Sequence, residues 1–239
     1  MNLLDLIRYP HAFYAALKEL PAVPWRYAWL PALAGLAGGI SGALLSRPIL
    51  DSQALSLSGV PVALLFGVTI FSSVLLSMLT WLVLWGMGQL GAGKEGRSGE
   101  VYAASFLAPL LWSVVLVVLA LILPPQVNVV APKLAGLSGP ALLAAIQKYS
   151  SAVTAQYSLS PVVRFSSVMN YAIYLVQFWL AYIGFRVMTA TAQADAAEQP
   201  GQSGRAWRGV LYPGLLFVAL GIVALLVTSA VAGLAGGLL

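Results

Sequence analysis

Cysteine is absent from this 239-residue chain, histidine occurs once, and charged residues make up 8% of the whole. Without cysteine there are no disulfides, no thiolate nucleophiles and no cysteine-based metal sites. A soluble domain carries about 25% charged residues, so this composition excludes the soluble class. With His11 alone, the chain can form no HExxH motif and no serine–histidine pair inside a membrane. We therefore expect a non-enzymatic protein with no catalytic residue, no metal site and no cofactor.

Apolar sequence fills the chain instead, since hydrophobic residues make up 60% of it. Five long stretches contain no Asp, Glu, Lys, Arg or His, and each reaches the ~20 residues that a helix needs to cross a membrane. Lipid offers backbone polar groups no partner, so these stretches must be helical. We predict an all-α bundle of five transmembrane helices: residues 27–45, 62–88, 101–123, 167–185 and 209–239. Proton relays and ion-coupled pumps place ionisable groups inside the membrane, so those chemistries fit poorly.

Two segments outside the spans are predicted to form helices at the membrane surface. The first, a cytosolic lead-in over residues 1–26, lacks the continuous apolar core of a cleavable signal peptide. It is read as an amphipathic helix lying on the headgroups or, with equal weight, as a helix packed on the bundle. Its apolar side chains are Leu3, Leu4, Ile7, Phe13, Tyr14, Leu17 and Leu20. The second helix begins at Pro140 in the long linker over residues 124–166 and lies on the outer surface.

Small residues in the first span form two overlapping GxxxG pairs, Gly35 with Gly39 and Gly38 with Gly42. Glycines at this spacing allow two helix backbones to approach closely. We interpret them as an internal packing surface, with dimerisation as the alternative.

Polar residues share a face on two of the spans. Residues three or four apart lie on one side of a helix, and two sets have this spacing: Thr69, Ser73, Ser77 and Thr80, and Asn170, Tyr174 and Gln177. Unpaired amides in hydrocarbon are costly, so Asn170 and Gln177 should face the protein interior near the face that begins at Thr69. The two faces either join helices by hydrogen bonds or line a groove for a ligand or lipid headgroup.

The distribution of basic residues predicts the orientation. With the N-terminus in the cytosol, the inner segments hold eight of the twelve: Arg8, Lys18, Arg26, Lys94, Arg97, Arg186, Arg205 and Arg208. The outer segments hold Arg47, Lys133, Lys148 and Arg164. The positive-inside rule then gives a cytosolic N-terminus and an external C-terminus. The basic residues are scattered singly, so no nucleic-acid partner is expected.

Three stretches, taken in order, resemble the bacterial branch of the Yip family, the Ypt/Rab-interacting protein domain family. They are Pro10 to Pro21 before the first span; Gly93-Lys94 followed by residues 105–109; and Trp179 to Gly184 followed by Arg205-Ala206 and Pro213. The resemblance implies five spans and a cytosolic N-terminus. It implies a role in membrane organisation or trafficking for eukaryotic members and no settled biochemical activity for bacterial members.

Two functions follow as hypotheses. The first is a non-enzymatic Yip-like protein, multi-pass in the bacterial cytoplasmic membrane, that binds membrane lipids, other membrane proteins or a second copy of itself. The alternative is a small permease-like transport component or lipid scramblase that uses the polar face of Asn170, Tyr174 and Gln177.

Overall fold

The structure is a computed structural model, and it describes residues 2–57, 60–132, 136–190 and 204–219. Within these ranges every regular element is helical, which confirms the all-α class. The helices are α1 (Asp5–Arg8), α2 (Pro10–Lys18), α3 (Trp29–Leu45), α4 (Arg47–Ser56), α5 (Val62–Ala92), α6 (Ser98–Ser105), α7 (Leu107–Ile122), α8 (Gly139–Leu159) and α9 (Pro161–Thr189). A last helix, α10, covers residues 204–219, and a 3-10 turn over Lys94–Gly96 precedes α6.

Three helical segments are long and apolar enough to cross a membrane: Val62–Ala92, Lys94–Ile122 and Pro161–Thr189. They correspond to the second, third and fourth predicted spans. The first predicted span is α3, which at 17 residues qualifies as a span when joined to α4 across a 72° bend. The fifth begins in α10, and residues 220–239 lie outside the described part of the chain. The described helices thus provide three candidate spans, or four if the bent pair is one span.

The bend between α3 and α4 has a local cause. Ser46 ends α3, and its hydroxyl donates a hydrogen bond to the carbonyl of Gly42 at 2.6 Å. Pro48 then lies in the first turn of α4, where its missing N–H is tolerated. The sequence prediction ended the first helix correctly but did not include the polar helix that follows.

Contacts group the chain into two compact units, which we describe separately. The central unit comprises Tyr27–Thr80 and Ala103–Gln177. In it α3 packs along α7, and α4 packs along α8. A small apolar core of Leu45, Leu116 and Ala120 lies where α3 and α7 meet. The helix predicted from Pro140 is α8, whose first turn contains that proline.

The terminal unit comprises Met1–Arg26, Trp81–Tyr102 and Phe178–Leu239. Its core includes Phe13, Tyr14 and Leu17, which are almost fully buried. Gly184 of α9 makes room for the ring of Tyr14, because a Cβ at that glycine would lie 2.8 Å from the ring carbon Cζ. Of the two interpretations of the lead-in, the structure favours packing on protein.

The lead-in is not one amphipathic helix but two short ones. Tyr9 separates α1 from α2, because Pro10 begins a helix readily and cannot continue one. Leu4, Ile7 and Leu20 stay exposed, whereas the aromatic side chains that we expected at the headgroups are buried by the protein.

Candidate functional site

A charged turn lies between α5 and α6 in the terminal unit. Gly93 begins it with a φ of 76°, a conformation that glycine adopts without steric cost. Arg97 ends it with a φ of 46°, in the left-handed region that residues other than glycine rarely enter. Such a backbone costs about 1–3 kcal/mol and persists where surrounding contacts hold it in place. The contacts of the Arg97 side chain supply that constraint.

The Arg97 guanidinium connects the end of α2 to the start of α6. Its Nη1 atom donates hydrogen bonds to the carbonyls of Leu17 and Leu20, both at 2.9 Å, and Nη2 donates to Pro21 at 3.2 Å. Its Nε atom donates to Oε2 of Glu100. Carbonyls at a helix C-terminus have no partner within the helix and carry partial negative charge, so a cation is favourable there.

Glu100 is an acidic group inside the protein, with 1% of its side chain exposed. Arg97 lies against one carboxylate oxygen, and Nε of Arg26 lies 3.5 Å from the other. A buried charge is tolerated when it is paired, and two guanidiniums pair this one. Within the described residues, Oε1 of Glu100 and Nη1 of Arg26 nevertheless have no hydrogen-bond partner.

A small cavity borders this carboxylate, and we call it the Glu100 cavity. Its volume is about 130 Å³. Its walls include Ala22, Pro24, Trp85, Gln89, Lys94 and Glu100. The ring of Trp85 stacks on Trp81 at 5.5 Å and meets Trp25 edge-on at 5.2 Å.

A larger cavity, the basic cavity, opens beside the same turn. Its volume is about 430 Å³, and its charged walls are Lys94, Glu95, Arg205 and Arg208. Three cations and one carboxylate give these walls a formal charge of +2. Arg205 makes a 3.4 Å contact with Glu95, but both side chains are largely exposed. Lys94 lines both cavities, and its side chain has no hydrogen bond or ion pair with any described residue.

Glycines position the arginines of this cavity. A Cβ on Gly91 would overlap the carbonyl of Arg208, so α10 reaches the end of α5 because Gly91 has no side chain. Gly209 is close to Ala92 in the same way, and its carbonyl accepts a 2.8 Å hydrogen bond from the hydroxyl of Tyr102.

An exposed tryptophan lies between the two arginines in sequence. Trp207 is 58% exposed, and its ring meets Tyr182 edge-on at 5.4 Å. Tryptophan and tyrosine are enriched where a membrane protein meets the headgroups.

The predicted glycine pairs occupy different environments in the central unit. A Cβ on Gly35 or Gly39 would lie 2.7 Å from the Cα atoms of Val74 and Ile70 on α5, so these two glycines form a close backbone contact. Gly38 has ordinary space beside Ser113, and Gly42 has nothing within 4 Å. One predicted GxxxG pair therefore forms a close backbone contact and the other does not.

Among the described residues, the predicted hydroxyl face on α5 makes one hydrogen bond to another helix. Ser77 donates a 2.6 Å hydrogen bond to the carbonyl of Pro31 on α3. Thr69 bonds within its own helix, to the carbonyl of Leu65. Ser73 and Thr80 are half-buried.

The residues of the predicted amide face on α9 differ in their exposure. Asn170 is exposed but accepts a 2.7 Å hydrogen bond from the indole of Trp112, and Tyr174 is 54% exposed. Gln177 is 4% exposed, and its Nε2 atom has no partner among the described residues. No hydrogen bond in the described residues joins this face to the hydroxyl face of α5. The geometry therefore brings together no continuous groove from the predicted set.

The sequence analysis did not identify the charged turn, because residues 91–100 fall between the second and third predicted spans. An available signal was the acid three residues after Arg97, in a charge-rich segment between two apolar runs. No family model, no curated protein and no solved structure matches this chain.

Proposed function

We propose that this chain is a non-enzymatic integral membrane protein that organises membranes by binding anionic lipid headgroups at its charged end. The observation that carries the proposal is the convergence of Lys94, Arg205 and Arg208 on one cavity. The resemblance to the Yip family belongs to the same proposal. Two of its motif positions, Lys94 and Arg205, come from distant parts of the sequence and line the same space.

The position of the basic cavity along the candidate spans supports a headgroup as its ligand. The apolar helix α5 ends at Ala92, and the next candidate span begins at Lys94, so the cavity lies at the end of two segments long enough to cross the hydrocarbon layer. The headgroups lie just beyond that layer. Exposed Trp207 is of the residue type that lies at this level.

The chemistry of the walls supports a phosphate. Arginine presents a planar set of donors that matches phosphate oxygens, and lysine contributes a point charge. The exposed pair of Arg205 and Glu95 is of a kind that contributes about 0–1 kcal/mol, so a phosphate can replace Glu95 at little cost.

Five spans, a cytosolic N-terminus and a place in the bacterial cytoplasmic membrane complete the proposal. The eight-to-four distribution of basic residues supports the orientation.

Single introduced cysteines test this orientation without background labelling, because the chain has no cysteine of its own. Exposed Glu95→Cys should resist an impermeant thiol reagent in intact cells, while Ser138→Cys should react. The opposite pattern overturns the orientation.

Lipid binding by purified protein tests the function. We expect the triple variant Lys94→Ala/Arg205→Ala/Arg208→Ala to bind phosphatidylglycerol about 100-fold more weakly, because each charge near an anionic surface contributes about 1 kcal/mol. Phosphatidylcholine binding should not change. The matched control removes three basic residues elsewhere, Arg47→Ala/Lys148→Ala/Arg164→Ala, and should retain the affinity. Equal losses in both triples, or none in the first, would refute the proposal.

A further inference from the structure

We infer that the basic cavity binds a headgroup with two phosphates, one at Arg205 and Arg208 and the other at Lys94. Cardiolipin, in which a glycerol joins two phosphodiesters, has this chemistry. The inference rests on the proposed function, because it names the class of anionic headgroup that the same cavity selects.

The charge of the basic cavity exceeds what one phosphodiester neutralises. Its described walls carry three cations, Lys94, Arg205 and Arg208, and one carboxylate, Glu95, so their formal charge is +2. A single phosphodiester has one negative charge and leaves part of this surplus without a counter-ion. Two phosphodiesters neutralise it completely, even while Glu95 remains in place.

The first phosphate position lies at the two arginines of α10. Arg205 and Arg208 are three residues apart, so their side chains lie on the same side of the helix. Nη1 of Arg205 lies 3.4 Å from Oε2 of Glu95, which shows that an anionic oxygen fits beside this guanidinium. Nε of Arg208 donates to the carbonyl of Gly204 at 3.2 Å, while its Nη atoms have no hydrogen bond to any described residue. Planar guanidiniums of this kind match phosphate oxygens.

The second phosphate position lies at Lys94, which comes from a distant part of the sequence. This lysine follows the end of α5, and its exposed side chain has no partner in the described part of the chain. Gly91 brings the two positions to one cavity, because a Cβ on Gly91 would overlap the carbonyl of Arg208. The cavity therefore presents cations from two separate elements to the same ligand.

The size and the apolar edge of the cavity suit a lipid of this class. At about 430 Å³ the cavity falls in the range of about 300–1,000 Å³ that is usual for small-molecule sites. Leu90 lines it and is 74% exposed, so it offers an apolar surface where acyl chains leave the headgroup. Basic pockets between membrane helices bind cardiolipin and other headgroups with several phosphates.

The experiment compares cardiolipin with phosphatidate at about pH 8. The phosphomonoester of phosphatidate has a second pKa of about 6, so at this pH it carries about two negative charges on one phosphate. The two lipids thus match in charge and differ in the number of phosphates. Full-length protein in detergent should bind cardiolipin about fivefold more tightly, the factor expected of one more cation beside an anionic group. Equal binding of the two lipids would overturn the inference.

A lysine variant separates the second phosphate from the acyl chains, since cardiolipin has four chains and phosphatidate has two. Lys94→Ala should reduce the preference for cardiolipin to within about twofold, and Lys94→Arg should restore it. A preference caused by the chains would survive in Lys94→Ala and contradict the two-phosphate site. Lys148→Ala is the matched control, because this lysine is also exposed but lies on α8. It should keep the full preference.

Each outcome separates the inference from the proposed function. Equal binding of cardiolipin, phosphatidate and phosphatidylglycerol, all tighter than phosphatidylcholine, refutes the two-phosphate site and leaves anionic lipid binding intact. Equal binding of all four lipids refutes the proposed function. Once the preference is established, displacement of cardiolipin by its water-soluble headgroup, bis(glycerophospho)glycerol, assigns the two positions to a soluble ligand. Failure of this headgroup to displace cardiolipin assigns them to the lipid, and both results require two phosphate positions.

Discussion

The central and terminal units keep their helices together by different means. In the central unit, α3 approaches α5 through two glycines and a serine, and the described charged side chains, Arg47, Asp51, Lys148 and Arg164, are exposed. In the terminal unit, a buried carboxylate, two guanidiniums and a series of backbone carbonyls hold the lead-in to α6. A hydrogen bond between membrane helices is individually weak, whereas a buried ion pair is costly to break. The terminal unit therefore depends on single residues more strongly.

Removing Arg97 should have the largest effect on stability. Arg97→Ala leaves Glu100 buried with one guanidinium and leaves the carbonyls of Leu17 and Leu20 without their donor. Breaking a buried pair in this way costs about 3–5 kcal/mol. We expect that loss in the free energy of unfolding measured in detergent.

The control for this variant is the exposed pair of Arg47 and Asp51 in the central unit, whose charged atoms are 4.0 Å apart. Arg47→Ala should cost about 0–1 kcal/mol. Similar losses in the two variants would remove the contrast between the units.

The glycine contact of α3 should show an intermediate effect. In Gly39→Leu, the new side chain meets the backbone of Ile70, and overpacking of this kind costs about 1–3 kcal/mol. The control is Gly42→Leu on the same helix, where a side chain meets open space. Leucine is also a better helix former than glycine, so the free energy of unfolding of this variant should equal or slightly exceed that of the wild type. Thermal unfolding of both variants measures the difference. A larger loss of stability in Gly42→Leu than in Gly39→Leu would contradict the contact between Gly39 and α5.

The hydroxyl of Ser77 should have the smallest effect. Ser77→Ala removes one hydrogen bond to Pro31, and such bonds between membrane helices contribute about 0.6 kcal/mol on average. Ser72 on the same helix is exposed and provides the control. A loss at Ser77 comparable to that of Arg97→Ala would show that the central unit also depends on single polar contacts.

The sequence predicted α5, α7 and most of α9 well, because a helix that crosses lipid must be apolar without interruption. It could not predict that the chain remains helical in α4 after the bend at Ser46, because the polar side chains of Arg47, Asp51 and Gln53 are typical of a loop between spans. It also missed the burial of Glu100. That burial requires Arg26 from the lead-in and Arg97 from the turn at one place, which is a tertiary property. The split of α9 into an exposed Asn170 and a buried Gln177 depends on neighbouring helices in the same way.

Photochemical mapping of the bound headgroup tests the central claim most directly. Wild-type protein in vesicles would be irradiated with a phosphatidylglycerol probe carrying a photoreactive headgroup, and the modified peptides identified by mass spectrometry, with a photoreactive phosphatidylcholine as the control. We predict that the anionic probe marks the walls of the basic cavity, residues 90–95, Arg205 and Arg208, and that the control does not. Modification concentrated on α9 between Asn170 and Gln177, or spread evenly over the apolar helices by both probes, would contradict the account.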